Sequence, residues 1–241
     1  MPTSKKQIEL NRAYQNDVLY ELHEHHVDLY NRDLYLVGEV GPDYSCRVAG
    51  EILPDPGVDY QMSSTFIMNL NKLVHISNEP ILIHMKTCGG DCTEGFAIYD
   101  AIKTCPAPVV ILSYTHARSM SSIILQAADK RVLMPNSHFM FHRGETEFSG
   151  ETRAVRSQVR FFEMYEQLML AVYIDAMKAT PGRKYYNSSP DALKILLEKR
   201  MGNEVDVFLT ARETIKWGLA DEIFGEADET WKAAWKRLRK V

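Results

Sequence analysis

Thr115-His116-Ala117-Arg118-Ser119-Met120-Ser121-Ser122 stands between the apolar run Val109–Leu112 and the stretch Ile123–Ala128, whose composition suits a helix. An apolar strand, a tight turn and a helix are the local ingredients with which an α/β sheet lifts one side chain clear of its carboxyl edge. A serine at such a turn gains a further property, because the helix that follows aims its positive N-terminal end at an oxygen that becomes charged. Serine is also a common helix N-cap, so the hydroxyl of Ser119 has a purely structural reading beside the chemical one. Further on come Leu133-Met134-Pro135-Asn136-Ser137-His138-Phe139-Met140-Phe141-His142 and Asp206-Val207-Phe208-Leu209-Thr210-Ala211. One chain therefore offers a serine, a histidine ending an apolar strand and an acid, in that order.

Working outward from this stretch, apolar runs alternate with segments of helical periodicity. Asp33–Val40 reads as the first core strand, and the Gly- and Pro-containing stretch Gly41–Gly57 as an inserted loop or hairpin. Gln61–Leu73 carries Phe66, Ile67, Leu70 and Leu73 at helical spacing; Ile81–Met85 is a short buried strand and Glu94–Lys103 a helix. The next cycle is strand Val109–Tyr114, helix Ser119–Ala128, strand Arg131–Met134 and strand Phe139–His142. Strands alternating with helices predict an α/β fold with a largely parallel sheet. Glu151–Lys178 is one long helical stretch, on the order of 40 Å at 1.5 Å per residue, with more apolar surface than one domain needs for itself, which points to a partner subunit. Ala179–Asp191 is loop-rich, and Ala192–Lys199 and Arg212–Gly218 are two further helices. Residues 1–32 read as an N-terminal helix or arm, 33–225 as the core and 226–241 as a C-terminal amphipathic helix, Trp231, Trp235 and Leu238 recurring among Lys and Arg, that docks on its own chain or a neighbour.

The 241 residues suffice for one α/β domain with a sizeable core. With 45% hydrophobic and 25% charged residues the composition is that of a globular protein, and the apolar runs are too short to span a bilayer. A net charge of −4 gives no broad footprint for nucleic acid or anionic lipid. The N-terminus lacks the apolar core of a signal peptide, so the expected location is cytoplasmic. Four cysteines in such a chain are expected to be reduced. Cys88 and Cys92 flank Gly89-Gly90-Asp91, too wide for a two-residue zinc knuckle, and His23-Glu24-His25-His26 reads as a solvated face, so no metal and no cofactor are expected.

Several signposts in order resemble the proteolytic subunit of the Clp protease, a self-compartmentalising serine peptidase with a crotonase-like fold. They are Gly89-Gly90 followed by Glu94-Gly95-Phe96-Ala97-Ile98-Tyr99-Asp100; Ala117-Arg118-Ser119-Met120; Leu133-Met134-Pro135-Asn136-Ser137; Phe139-Met140-Phe141-His142; and Asp206–Ala211 leading to Trp217-Gly218-Leu219-Ala220-Asp221. The resemblance implies repeated β-β-α units with a long protruding handle helix over about 151–178. It implies Ser119 as nucleophile, His142 as general base and Asp206 as the carboxylate that orients the imidazole, with an oxyanion hole from the amides of Gly90 and Met120. Substrate backbone would lie along Gly89 and the segment Arg143, Gly144, Glu145 and Thr146, pairing by strand addition. Chemistry supports the trio independently: a serine hydroxyl attacks poorly until a neutral imidazole takes its proton, and that imidazole needs a carboxylate to hold its tautomer.

The resemblance further implies unfolded polypeptide as substrate, self-association into a heptameric ring, single or double, and a hexameric ATP-driven AAA+ unfoldase as partner. This chain departs from the family at several points. Arg118 replaces a small residue and Ser121 a glycine; Asp91 puts a carboxylate beside the glycine loop, where it opposes developing negative charge. Glu204 is followed by Val205, so the acid-Arg pair that joins two rings in the family is missing. The interval from His142 to Asp206 exceeds the family's usual one, so Asp191, Glu198, Asn203 and Glu204 are rival partners for the histidine. Two other functions fit the same framework: a catalytically weak or inactive ring subunit, and a crotonase-type acyl-CoA enzyme that holds an enolate with paired backbone amides.

Overall fold

A computed structural model describes residues 18–20, 22–38, 45–48, 51–54, 57–144, 146–226 and 231–238. Residues 1–17 and 21 of the expected arm (1–32), the end of the first strand at 39–40, parts of the 41–57 stretch, Glu145, and residues 227–230 and 239–241 of the expected C-terminal helix lie outside them.

Period-two burial makes the sheet. In β5 (Ile81–Thr87) and β6 (Val109–Arg118), Ile81, Ile83, Met85, Val109 and Ile111 enter the main core, while Leu82, Val110 and Leu112 face the other side. Strands β2 (Asp33–Gly38), β5, β6, β7 (Lys130–Leu133) and β10 (Glu222–Ile223) run parallel in that order, with the two-residue β1 (Val27–Asp28) antiparallel at the β2 edge. Near-continuous apolar runs are what a parallel sheet covered on both faces requires. β6 forks: Val110–Ser113 pair with β7, whereas His116–Arg118 pair in parallel with β8 (His138–Phe141), which pairs antiparallel with β9 (Val207–Thr210). β3 (Ser45–Val48) and β4 (Glu51–Pro54) form a separate hairpin in the stretch expected as an insertion.

Helices α1 (Tyr60–Ile76), α2 (Cys92–Lys103), α3 (Met120–Leu125), α4 (Thr152–Ala179), α5 (Pro190–Glu204) and α6 (Ala211–Trp217) contribute to the main core. The opposite face holds a smaller cluster of Leu82, Val110, Leu112, Val132 and Phe224, closed by Ala234 and Leu238 of α7 (Trp231–Leu238). The basic C-terminal helix therefore docks on its own chain. Among the described residues no helix is long and apolar enough to cross a membrane.

The fold is α/β as the alternation predicts, with local differences, among them the short strands β1, inside the expected N-terminal arm, and β10, neither of which the sequence pattern marks. β6 runs on to Arg118 and α3 stops at Leu125, so the strand carries its cargo four residues further and the helix is shorter than expected. α5 is longer, because Ser189 caps it through Ala192 N–H, Pro190 sits in its first turn where a missing N–H costs nothing, and Met201 extends its buried stripe. β9, unrecognised as a strand, is pinned by the capping box of Thr210 and Glu213 at its end. Arg131, buried at 6% exposure, ties β7 to the chain beyond α6 by bonds to Asp221, Gln126 and the Gly218 carbonyl.

Candidate active site

Strand β6 ends at Arg118, and the next residue, Ser119, has φ 48° and ψ −128°. That conformation lies outside the regions an L-residue ordinarily occupies and costs about 1–3 kcal/mol, so the surroundings must hold it. The Ser119 N–H donates to the Met140 carbonyl at 3.0 Å, and the Ser119 carbonyl accepts from the Ser122 N–H at 2.9 Å and from the Ser122 hydroxyl at 2.6 Å. Ser119 occupies the N-cap position of α3 yet makes no side-chain capping bond. Its hydroxyl instead lies 2.8 Å from His142 Nε2.

His142 follows β8, and the parallel register that sets Arg118 beside Met140 brings it over the serine turn. β9 then approaches β8 antiparallel with Phe141 opposite Val207, so the next residues outward, His142 and Asp206, face one another. Asp206 Oδ1 is 3.1 Å from His142 Nδ1. Of the five acid and amide candidates, Asp206 is the one bonded to this imidazole; Glu204 instead pairs with Arg200 at 2.5 Å, and Glu198 lines a small cleft beside His142 with Arg143, Glu166, Met169 and Met201. The imidazole is mostly buried at 18% exposure and the Asp206 carboxylate half-exposed at 46%. Val205, which turns the chain from α5 into Asp206, has φ 59°, a strained value for a β-branched residue.

The glycine loop closes the other side. Gly89 has φ 111°, and a Cβ there would meet Ser119 Cβ at 2.7 Å and the Met120 nitrogen at 3.0 Å. Gly90 (φ 149°) is clamped against Val58, whose N–H donates to the Gly89 carbonyl at 2.8 Å and whose carbonyl accepts from Asp91 N–H at 2.7 Å; a Cβ on Gly90 would stand 2.3 Å from that carbonyl oxygen. Glycine is needed at both positions for the loop to lie this close to the serine turn. Met120 is buried, its side chain packed on Gly95 of α2. Asp91 caps α2 by accepting from the Glu94 N–H at 3.0 Å, where the helix terminus compensates its charge. The Arg118 side chain turns from the hydroxyl toward the other face, donating to His138 Nε2 at 2.8 Å and lying 5.6 Å from the centre of the Phe208 ring. Burial first, and Arg118 second, hold the His138 imidazole below its ordinary pKa.

The structure thus brings together Ser119, His142, Asp206, Gly89, Gly90 and Met120. Arg143 and Thr146 are exposed in irregular chain after His142, with Gly144 at φ 88° against the Phe162 ring. Three participants escaped the sequence reading: Val58, between the inserted stretch and the first long helix; Ser122, one of several serines in the turn; and Tyr173, which reads as one more apolar residue of a helix face. Chemically, the site presents a hydroxyl within hydrogen-bond distance of one ring nitrogen of an imidazole whose other nitrogen faces a carboxylate, beside a glycine loop.

Comparison with known proteins agrees with this framework. The chain is 27% identical over 175 residues to an ATP-dependent Clp protease proteolytic subunit of Deinococcus radiodurans, covering 71% of this chain and 78% of that one. It is 25% identical over 183 residues to subunit 2 of the same protease from Pseudomonas aeruginosa (75% and 83% covered) and 27% identical over 197 residues to subunit 2 from Treponema denticola (81% and 82%). ClpP1 from Listeria monocytogenes, solved as a point mutant, superposes with a TM-score of 0.62 over 83% of this chain and 95% of its own, at 19% identity, a likeness of fold. The Clp protease family profile matches residues 49–227, most of the chain and all of the serine turn, the histidine strand and the glycine loop, so this protein is a divergent member of the Clp protease family.

Proposed function

We propose that the chain is a serine endopeptidase subunit in which Ser119 attacks, His142 moves the proton and Asp206 orients the imidazole. The observation that carries this is the single imidazole bonded on one nitrogen to the Ser119 hydroxyl and on the other to Asp206. With Nδ1–H donated to the carboxylate, Nε2 keeps the lone pair that a general base needs. The Ser119 oxygen bonds to the scissile carbonyl carbon as its proton passes to His142. The carbonyl oxygen becomes an oxyanion facing the N–H groups of Gly90 and Met120, one such donor contributing about 10²–10³ in rate. His142 then protonates the leaving amine, the C–N bond breaks, and a water deprotonated by His142 releases the acyl group from Ser119. Substrate backbone enters between Gly89 and the segment from Arg143 to Thr146.

Unfolded polypeptide is the substrate class in this reading. Exposed Val159, Phe161, Met164 and Leu168 on α4 give apolar surface for self-association into a ring, heptameric in one or two layers, and an ATP-driven hexameric unfoldase in the cytoplasm feeds it. A fluorophosphonate probe tests the nucleophile on material sized by light scattering: wild type labels, Ser119→Ala does not, and Asp206→Ala labels at least about 100-fold more slowly. An assembled wild-type ring that fails to label overturns the reading in favour of a structural subunit.

A further inference from the structure

Ser122 donates its one hydroxyl proton to the Ser119 carbonyl at 2.6 Å, since a carbonyl cannot donate. The Tyr173 hydroxyl lies 2.6 Å from that same Ser122 oxygen, so the proton in this second bond belongs to tyrosine. The chain therefore has one direction: Tyr173 O–H to Ser122 O–H to the carbonyl of Ser119. Burial, its largest influence, pushes the Tyr173 phenol well above its ordinary pKa and keeps it a donor at any working pH. Bonds in series polarise one another, so the second strengthens the first.

The Ser119 carbonyl shares a rigid trans peptide plane with the Met120 N–H, and the two point in opposite directions. Tying the carbonyl into the core therefore aims the amide outward. From this we infer that Tyr173, through Ser122, is a positioning residue that fixes the Ser119–Met120 peptide, and with it the amide donor for the oxyanion. The tyrosine is suited to the task on its other side as well, where its ring packs 6.0 Å from Phe139 and 5.7 Å from Phe141, the strand that delivers His142. One residue of α4 thus braces the serine turn and the histidine strand together. The inference rests on the peptidase reading for its catalytic consequence, not for the anchoring itself.

Tyr173→Phe removes the donor and keeps the ring; Ser122→Ala removes the link. Cleavage of a fluorogenic peptide is expected to fall about fivefold in kcat for Tyr173→Phe and about tenfold for Ser122→Ala with KM within twofold, and the double variant should equal Ser122→Ala because the two act in series. Affinity for a peptide boronate, which carries the tetrahedral geometry, should fall by the same factors. Hydrogen exchange on the 119–125 segment, measured without substrate, should quicken about tenfold in Tyr173→Phe as the turn loosens. Unchanged kcat with unchanged exchange, losses that multiply in the double variant, or losses appearing in KM alone overturn the inference. Wild-type protein without Ser119-dependent cleavage, but with faster exchange in Tyr173→Phe, overturns the peptidase reading and leaves the anchoring in place.

Discussion

Besides Ser119 itself, two backbone positions constrain the site, one on either side of the imidazole. At the first, Gly89, any side chain would collide with Ser119 Cβ and with the backbone around it, while φ 111° is itself foreign to L-residues. Gly89→Ala must therefore push the serine turn away from His142, and a displacement of about 1 Å at reacting atoms costs about 100-fold in rate. We expect kcat/KM for peptide cleavage to fall by at least about that factor. The second is Val205 at φ 59°, a backbone conformation in which a β-branched residue is strained, whereas glycine tolerates it. Val205→Gly should stabilise the fold by about 1 kcal/mol after the entropy of the freer unfolded chain is subtracted, read as a Tm higher by about 3 °C. A Tm that falls would show that the exposed valine makes a contact outweighing its strain.

The elements hold a pH dependence that lies outside Ser119, His142 and Asp206. His138 on β8 accepts from Arg118 on β6 while Phe208 of β9 lies beneath the guanidinium, so one contact joins three strands. Burial and Arg118 depress the folded imidazole below the ordinary value of 6.5. The unfolded chain consequently takes up a proton at a pH where the folded chain stays neutral. The contribution is complete above about pH 6.5 and is lost as pH falls through that value toward the folded pKa. Urea melts at pH 7.5 and 5.5 should show a smaller decline in His138→Gln, which keeps an acceptor for Arg118, than in wild type. Periodicity reveals the main strands and the 28-residue α4 because each buries a long, regular stripe. β9 escapes it: four residues alternating buried and exposed are too few to stand out, and Phe208, its largest side chain, is half-exposed rather than in the core. The pairing of Asp206 with His142 is legible only once β9 has a register on β8, so sequence spacing leaves five candidates open. Ser119 itself is plain in the sequence because strand, turn and helix adjoin it; Tyr173 is invisible because what distinguishes it from its apolar neighbours is a bond to a residue 51 positions away.

At the scale of the molecule, the main core packs six helices against one face of the sheet, the small α7 closes the other, and α4 presents Phe161, Met164 and Leu168 about half-exposed or more. Met164→Glu combined with Leu168→Glu should leave the Tm within a few degrees and shift light scattering toward smaller assemblies; an unchanged mass would assign association to another face. The fork in β6 has a consequence for how the molecule is born. Its β5 and β7 partners lie close along the chain, but the branch that aligns the histidine and acid closes only when β9 finds β8, across a loop containing α4 and α5. Loop closure of that length is a slow step. During refolding, recovery of fluorophosphonate reactivity should therefore lag behind recovery of far-ultraviolet circular dichroism, whereas simultaneous recovery would show that the branch closes early. If Ser119 is the nucleophile proposed above, a nascent chain built this way would assemble it only after its own peptide bonds are packed out of reach, a delay that would spare the chain and its siblings from digestion during synthesis.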